Sequence, residues 1–297
     1  MFQPCEICGA DDWRIAYEGP IRAGGFGQQH EGGRVGRCGG CGVERLDESC
    51  SVDAAAYESE AYRAAMGQGL SVEEFFAHAD PTQLQNLTAL WPHALRGKVV
   101  ADIGCGAGSF LDHVAGIAAR IIAVEPTPLY HDALRARGYA VYPYAADAAK
   151  AELASADAAV TFQVIEHVPD PVAFLKDISA LLKPGAPLLI ATPNRADILM
   201  TLLPEEFPSF YYRRVHRWYF DAASLRHAVV RAGFTVQEER FLHGYGMANA
   251  LAWLRDRRPT GHTRLPGIDR AADAHWKAYL EASGQADTLY LLARNSG

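Results

Sequence analysis

From Lys98 onward the chain alternates short apolar runs with stretches in which apolar side chains return every three or four residues. VVADIG, RIIAVEP, YAVYPY, DAAVTFQ and APLLIATPN read as strands, and SFLDHVAGIA, LYHDALRARG and PVAFLKDISALL as amphipathic helices. Strands and helices in strict alternation predict an α/β domain with a parallel sheet covered on both faces. An irregular, aromatic-rich insertion over 195–221 interrupts the pattern, and a helix over about 222–232, stopped by Gly233, closes it. Loops of that length are more often functional than decorative. FTVQEERF and DTLYLLAR supply two further strands around a helical stretch near 248–255.

The first 96 residues follow another pattern. Residues 1–48 are glycine-rich and carry no long apolar periodic segment, so this piece cannot build much of a core alone. Over 49–96, Tyr57, Ala61, Tyr62 and Ala65, then Phe75, Phe76, Leu84, Leu87 and Leu90, recur at helical spacing and predict two or three short helices capping one side of the main domain. The expected organisation is therefore a small module (1–48), a helical linker or cap (49–96) and a main domain (97–297).

Composition narrows the class. No apolar run approaches the ~18 residues of a membrane span, and the N-terminus lacks the basic and apolar regions of a secretory signal. A cytoplasmic protein is expected, and in that reducing setting six cysteines read as ligands or small buried residues rather than a disulfide framework. The net charge of −7 gives no global drive toward nucleic acid; the arginines at 213, 214 and 217 form the densest local basic cluster.

Two motifs carry chemistry. Cys5 and Cys8 form one CxxC pair and Cys38 and Cys41 a second, each followed by glycine. Two such pairs complete a tetrahedral four-sulfur zinc site with no open position, which makes the ion structural and a replacement for the missing core. Cys50 lies outside the pattern. In the main domain, Asp102, Gly104, Gly106 and Gly108 stand at the exit of a buried strand, and Glu125 ends the next strand about twenty residues later, where a carboxylate can hold a ribose. A dinucleotide fingerprint would want glycine at Ser109, and Asp102 would repel phosphate but suit a cationic ligand.

These residues resemble class I methyltransferases dependent on S-adenosylmethionine (SAM), whose motif E/DxGxGxG stands here at 102–108. The likeness continues through EHVPDP at 166–171, LLKPGAPLLIATPN at 181–194 and SLRHAVVRAGF at 224–234. It implies a Rossmann-like sheet, mainly parallel with an antiparallel C-terminal strand, beside a small zinc-ribbon-like module. By matching position, Asp102, Gly104, Cys105 and Gly106 would line the methionine end of SAM, with Gly108 completing the turn. Glu125 would hold the ribose, Pro126 border the adenine, Asp147 sit near its amino group, and Gln163 approach from the fourth strand of the domain. Cys105 reads as a small turn residue rather than a nucleophile.

The zinc pairs, aromatic linker and class I domain together look like bacterial sugar C-methyltransferases acting on nucleotide-linked deoxyketosugars, and like related small-molecule methyltransferases. His216 in VHRWYF resembles the histidine of their EHxxYFS motif and is the first candidate base; His167, beside Glu166, is the second. The glutamate of that motif is Val215 here, which removes an acid that would manage an enolate and favours an oxygen or nitrogen acceptor over carbon. Tyr57, Tyr62, Tyr211, Tyr212 and Trp218 are candidate walls of an acceptor pocket. The expected activity is methyl transfer to a small molecule, with a sugar or natural-product hydroxyl first, a sugar carbon second and RNA third. A non-catalytic SAM-binding or zinc scaffold protein is a further alternative. The pattern does not specify an oligomeric state.

Overall fold

The computed structural model describes residues 2–24, 27–52, 71–89 and 95–297. Tyr57, Ala61, Tyr62, Ala65 and Leu90 lie outside the described residues.

The main sheet is built on β4 (Val99–Ile103), β5 (Arg120–Val124), β7 (Ala158–Phe162) and β8 (Pro187–Pro193), whose near-continuous apolar runs are buried on both faces. With β6 (Ala140–Tyr142), β10 (Phe234–Leu242) and β11 (Thr288–Asn295) they give the spatial order β10-β11-β8-β7-β4-β5-β6. β11 runs antiparallel to both its neighbours, and the other pairings are parallel. Asp102 lies on β4, in register with Ala123 on one side and Val160 on the other. The strand order therefore reverses at β4, and the crevice at the strand ends there is where such sheets bind ligands.

Helix starts follow the sequence closely. The helix Pro171–Leu181 begins with Pro171 in its first turn, while Asp170 accepts hydrogen bonds from the N–H groups of Val172 and Ala173. In the helix Ala222–Arg231, Asp221 and Ser224 form a reciprocal capping box, and Gly233 follows at φ +90°. Among the described residues of 49–96, the helix Val72–Ala89 opens on a capping box between Ser71 and Glu74 and contains Pro81. Of its predicted apolar face, Phe75, Phe76 and Leu87 pack against the core, whereas Leu84 is 64% exposed and Gln83, Asn86 and Ala89 are buried in addition. Asn86 is held there by the hydroxyl of Tyr290, which donates to its Oδ1 at 2.7 Å.

The N-terminal residues form a second, antiparallel sheet of β1 (Trp13–Arg22), β2 (Gln29–Cys38), β3 (Glu44–Leu46) and β9 (Trp218–Tyr219). Its last strand comes from the insertion, with Trp218 opposite Arg45 and Tyr219 opposite Glu44. Arg45 is fully buried, pairs with Glu6 at 2.6 Å, and lies between the rings of Trp13 and Trp218 at 5.5 and 5.6 Å. One continuous core joins Cys5, Ile7 and Val43 to Trp218, Phe220 and the main sheet; another joins Ile21, Val35 and Leu46 to Leu203, Phe207 and Trp253. The core that residues 1–48 lack is supplied largely by 195–221. No helix among the described residues is long and apolar enough to cross a membrane.

Candidate functional site

The turn after β4 holds Gly104, Gly106 and Gly108 at φ +85°, +56° and +90°, a region that favours glycine. Crowding adds a second reason at two of them: a Cβ on Gly104 would meet Val164 at 2.3 Å, and one on Gly106 would meet the ring of Phe75 at 2.3 Å. Glu125 faces this turn. Its Oε2 accepts the N–H of Gly106 and its Oε1 that of Thr127, both at 2.9 Å. Asp102 is 2% exposed, and burial, then the charge of Glu125, raise its carboxyl to about 8.

A cavity of about 560 Å³ opens beside the turn, lined by Gly104, Pro126, Tyr144, Ala146, Val164 and His167 among others. Asp102, Cys105, Gly106, Gly108 and Glu125 do not line it; they lie in the turn and strand ends next to it, Gly108 as the N-cap of the helix Ser109–Val114. Cys105 is buried, as a small turn residue should be. Asp147 stands one residue beyond the lining and lies 3.9 Å from Lys150.

Gln163 borders a different space. A second cavity of about 310 Å³ has walls of Phe207, Phe210, Tyr211, Tyr245 and Trp253, with Arg22, Gln163, Asp197, Arg213, His243 and Asp287 as polar lining. Gln163 sits at φ +57°, costly for a residue with a side chain. There the β7 exit divides the two spaces, Gln163 lining one and Val164 the other. Apart from Gln163 and Tyr211, the sequence reading missed this second cavity. Its other polar groups come from β1, the insertion, and the segments after β10 and before β11, with no local motif to join them.

The two candidate bases lie in the partition. His167 Nδ1 donates to the carbonyl of Val215 at 2.7 Å, which leaves Nε2 as the acceptor nitrogen, 3.8 Å from Glu166 Oε1. His216 meets His167 edge to face, with centroids 4.7 Å apart, is 6% exposed and lines neither cavity. Burial lowers His167 to about 4; burial, then the charges of His167 and Arg213, hold His216 well below the usual histidine range. Of the two histidines, only His167 lines a cavity, the first. Burial raises Glu166 to about 7 while the Thr192 hydroxyl donates to its Oε2 at 3.0 Å. Donor atoms of Glu166, His167 and His216 lie within 4.8 Å of one another, but the positive charge of Arg213 acts on all three, which disfavours a cation there.

Of the aromatic candidates described, only Tyr211 reaches the second cavity. Tyr212 donates to Glu44 Oε2 at 2.8 Å, and Trp218 Nε1 donates to the carbonyl of Val168 at 2.9 Å, so the first ties the insertion to β3 and the second ties β9 to the loop after β7. Tyr57 and Tyr62 are outside the described residues. The basic cluster also turns inward: Arg214 donates to the carbonyl of Cys50 at 3.1 Å, and Arg217 pairs with Glu48 and with Glu6.

The four N-terminal cysteines meet as two matching turns. In each, the glycine after the second cysteine has φ near the same value, +80° for Gly9 and +77° for Gly42, and donates to the carbonyl of the first cysteine. Cys5 and Cys41 sulfurs are 3.7 Å apart, and Cys8 and Cys38 sulfurs 3.5 Å; all four lie within 4.8 Å of one another. These distances are far too long for disulfides and near the ~3.8 Å edge of a tetrahedron with ~2.3 Å metal–sulfur bonds. The cluster fits one tetrahedral ion.

Comparison with known proteins agrees with this geometry. A methyltransferase domain family matches residues 75–239. A probable S-adenosylmethionine-dependent methyltransferase of Mycolicibacterium smegmatis is 32% identical over 222 residues, spanning 72% of this chain and 79% of that protein. A ubiquinone biosynthesis O-methyltransferase of Xanthomonas oryzae is 33% identical over 116 residues, 36% of this chain and 48% of that protein, so the chain spans about half of its length. The solved 1,6-didemethyltoxoflavin-N1-methyltransferase of Burkholderia thailandensis, with bound 1,6-didemethyltoxoflavin and S-adenosylhomocysteine, shares the fold at TM-score 0.50 and 16% identity, over 86% of this chain and 95% of that one. With a family match over most of the main domain and a relative aligned along both chains, this protein belongs to the methyltransferase domain family and is a SAM-dependent methyltransferase.

Proposed function

We propose that the enzyme transfers the SAM methyl group to a hydroxyl oxygen of a small molecule, with the cofactor at the glycine turn and first cavity and the acceptor in the second. The observation that carries this reading is the shared partition at β7, where consecutive residues line the two spaces. An in-line displacement needs two such compartments meeting at one point.

SAM supplies an electrophilic methyl on a sulfonium. Gly104, Cys105 and Gly106 allow close backbone approach, Glu125 holds the ribose, and Pro126 with Ala146 and neighbouring Asp147 borders the adenine. The carboxylates of Asp102 and Glu125 favour a cation over the phosphates of a dinucleotide. Gln163 closes the acceptor side.

Proton removal falls to Asp197, which lines the acceptor cavity and is raised to about 7 by burial and then by the charge of Asp287, the range a general base needs near neutral pH. His167 and His216 act as positioning residues of the partition. An oxygen acceptor is supported by the name of the Xanthomonas relative and by Val215 in place of a glutamate. Cys5, Cys8, Cys38 and Cys41 hold zinc, a cross-link rather than a catalytic group, since four thiolates leave no open position.

The test is calorimetric titration with SAM, followed by incubation with SAM and a panel of phenols, hydroxylated natural products and nucleotide-linked sugars. Micromolar-order SAM binding and S-adenosylhomocysteine release with an O-methylated product are expected. Absence of SAM binding, or methylation only at carbon, nitrogen or RNA, overturns the reading.

A further inference from the structure

Arg213 stands apart from its neighbours in the insertion. Arg195 pairs with Asp221 and lies 3.6 Å from Glu44, Arg217 pairs with Glu48, and Arg214 donates to a carbonyl. Arg213 has no carboxylate within 4.0 Å among the described residues, and its Nε is buried without a hydrogen-bond partner. Its backbone is nevertheless fixed: the N–H donates to the hydroxyl oxygen of Tyr219 at 2.8 Å, and that hydroxyl donates to the Arg213 carbonyl at 2.9 Å. A guanidinium kept at a cavity wall without a counter-ion is poised for an anion that arrives with the ligand.

The rest of the cavity specifies that ligand further. The Tyr211 hydroxyl lies in a residue lining the same space and is also buried without a partner. Phe207, Phe210 and Trp253 offer flat walls, and about 310 Å³ is at the small end of ligand pockets, enough for a substituted ring but tight for a nucleotide-linked sugar. Charges of both signs line the space, Asp197 and Asp287 on one hand and Arg22 and Arg213 on the other. An acceptor with an acid at one end and a hydroxyl at the other matches this layout.

We propose that the second cavity receives a flat, single-ring acceptor bearing a carboxylate, with the carboxylate on Arg213, assisted by the Tyr211 hydroxyl, and its reacting hydroxyl toward Asp197. This rests on the assignment of that cavity to the acceptor. The planar fork of arginine matches a carboxylate with two parallel hydrogen bonds.

The experiment uses the full chain saturated with S-adenosylhomocysteine and a matched pair of probes, 3,4-dihydroxybenzoate and 3,4-dihydroxybenzamide, titrated calorimetrically. The carboxylate should bind at least about tenfold more tightly, the preference should vanish in R213Q, and R213K should keep part of it. Equal binding of the two probes, binding of neither, or a preference that survives in R213Q overturns the proposal. If R213Q does not fold, the wild-type comparison decides, because the probes differ mainly in charge. A parallel SAM titration separates the two claims: normal SAM binding without a carboxylate preference removes this inference alone, whereas no SAM binding removes the reading beneath it.

Discussion

Glu125 Oε2 accepts the backbone N–H of Gly106 at 2.9 Å, so the acid that ends β5 is fastened to the glycine turn that ends β4. Its other oxygen takes the N–H of Thr127. A glutamine here presents one oxygen and one NH₂ group, and one of the two N–H donors then faces another donor. E125Q should weaken SAM binding about 10- to 100-fold, the ~1–3 kcal/mol of an unsatisfied buried donor, and lower the thermal midpoint of the cofactor-free enzyme. Calorimetry and thermal unfolding measure both; unchanged affinity would remove Glu125 from the site.

Asp102 links pH to the cofactor. Burial first, and Glu125 second, raise its folded-state value to about 8, above the ordinary carboxylate range. The buried acid therefore favours folding when protonated, and the cofactor-free enzyme should lose that contribution as pH rises from about 4 through 8. SAM, a cation, favours the ionised form, so its affinity should rise by up to about tenfold per pH unit below 8 and level off above it. D102N should flatten the profile. Calorimetry between pH 6 and 9 reads the slope, and a wild-type affinity independent of pH would contradict the assignment.

The residues that made the main domain legible are those whose neighbours in sequence are also their partners in function. VVADIGCGAG and IIAVEP each hold a strand, its turn and its acid within a few residues, and α/β alternation does the rest. The N-terminal strands escaped because QHEGGRVGRC is glycine-rich and charged. Two of its buried positions, Val35 and Gly36, pack against side chains supplied from elsewhere in the chain, Val35 in the core shared with the insertion and Gly36 against the ring of Phe2. The helix Arg270–Ser283 escaped for a related reason, with Leu280 its only fully buried residue. Arg22, Asp197, Arg213 and Asp287 converge from β1, the insertion and the segment before β11, so only the fold brings them together.

The cysteine cluster should act on the acceptor side and spare the cofactor. Arg22 ends β1, its N–H donates to the Tyr212 carbonyl at 2.9 Å, and its side chain lines the second cavity. C38S should reduce bound zinc from one ion per chain to near none, and because metal binding at such a site is folding free energy, it should loosen the N-terminal sheet. Acceptor turnover should fall at least tenfold while SAM affinity changes less than about threefold. Metal analysis beside a SAM titration decides; equal loss of both ligands would mean that the two sheets unfold as one unit.

Asp197 separates the role of a base from that of a helix cap. Its Oδ1 accepts the Leu199 N–H at 2.8 Å at the start of the helix Ile198–Leu202, and an asparagine oxygen can do the same. D197N should therefore fold normally and bind SAM as before, yet lower kcat by about 10²- to 10⁴-fold, the usual contribution of a positioned base. Asp197 is raised to about 7, so wild-type kcat/KM for the acceptor should climb with pH up to about 7 and then level off. That limb should disappear in D197N. His216 provides the contrast: it lines neither cavity and is held neutral by burial, so H216Q should cost less than about tenfold. A mild D197N beside a collapsed H216Q would return the base to His216, and would require the partition to open when the acceptor binds.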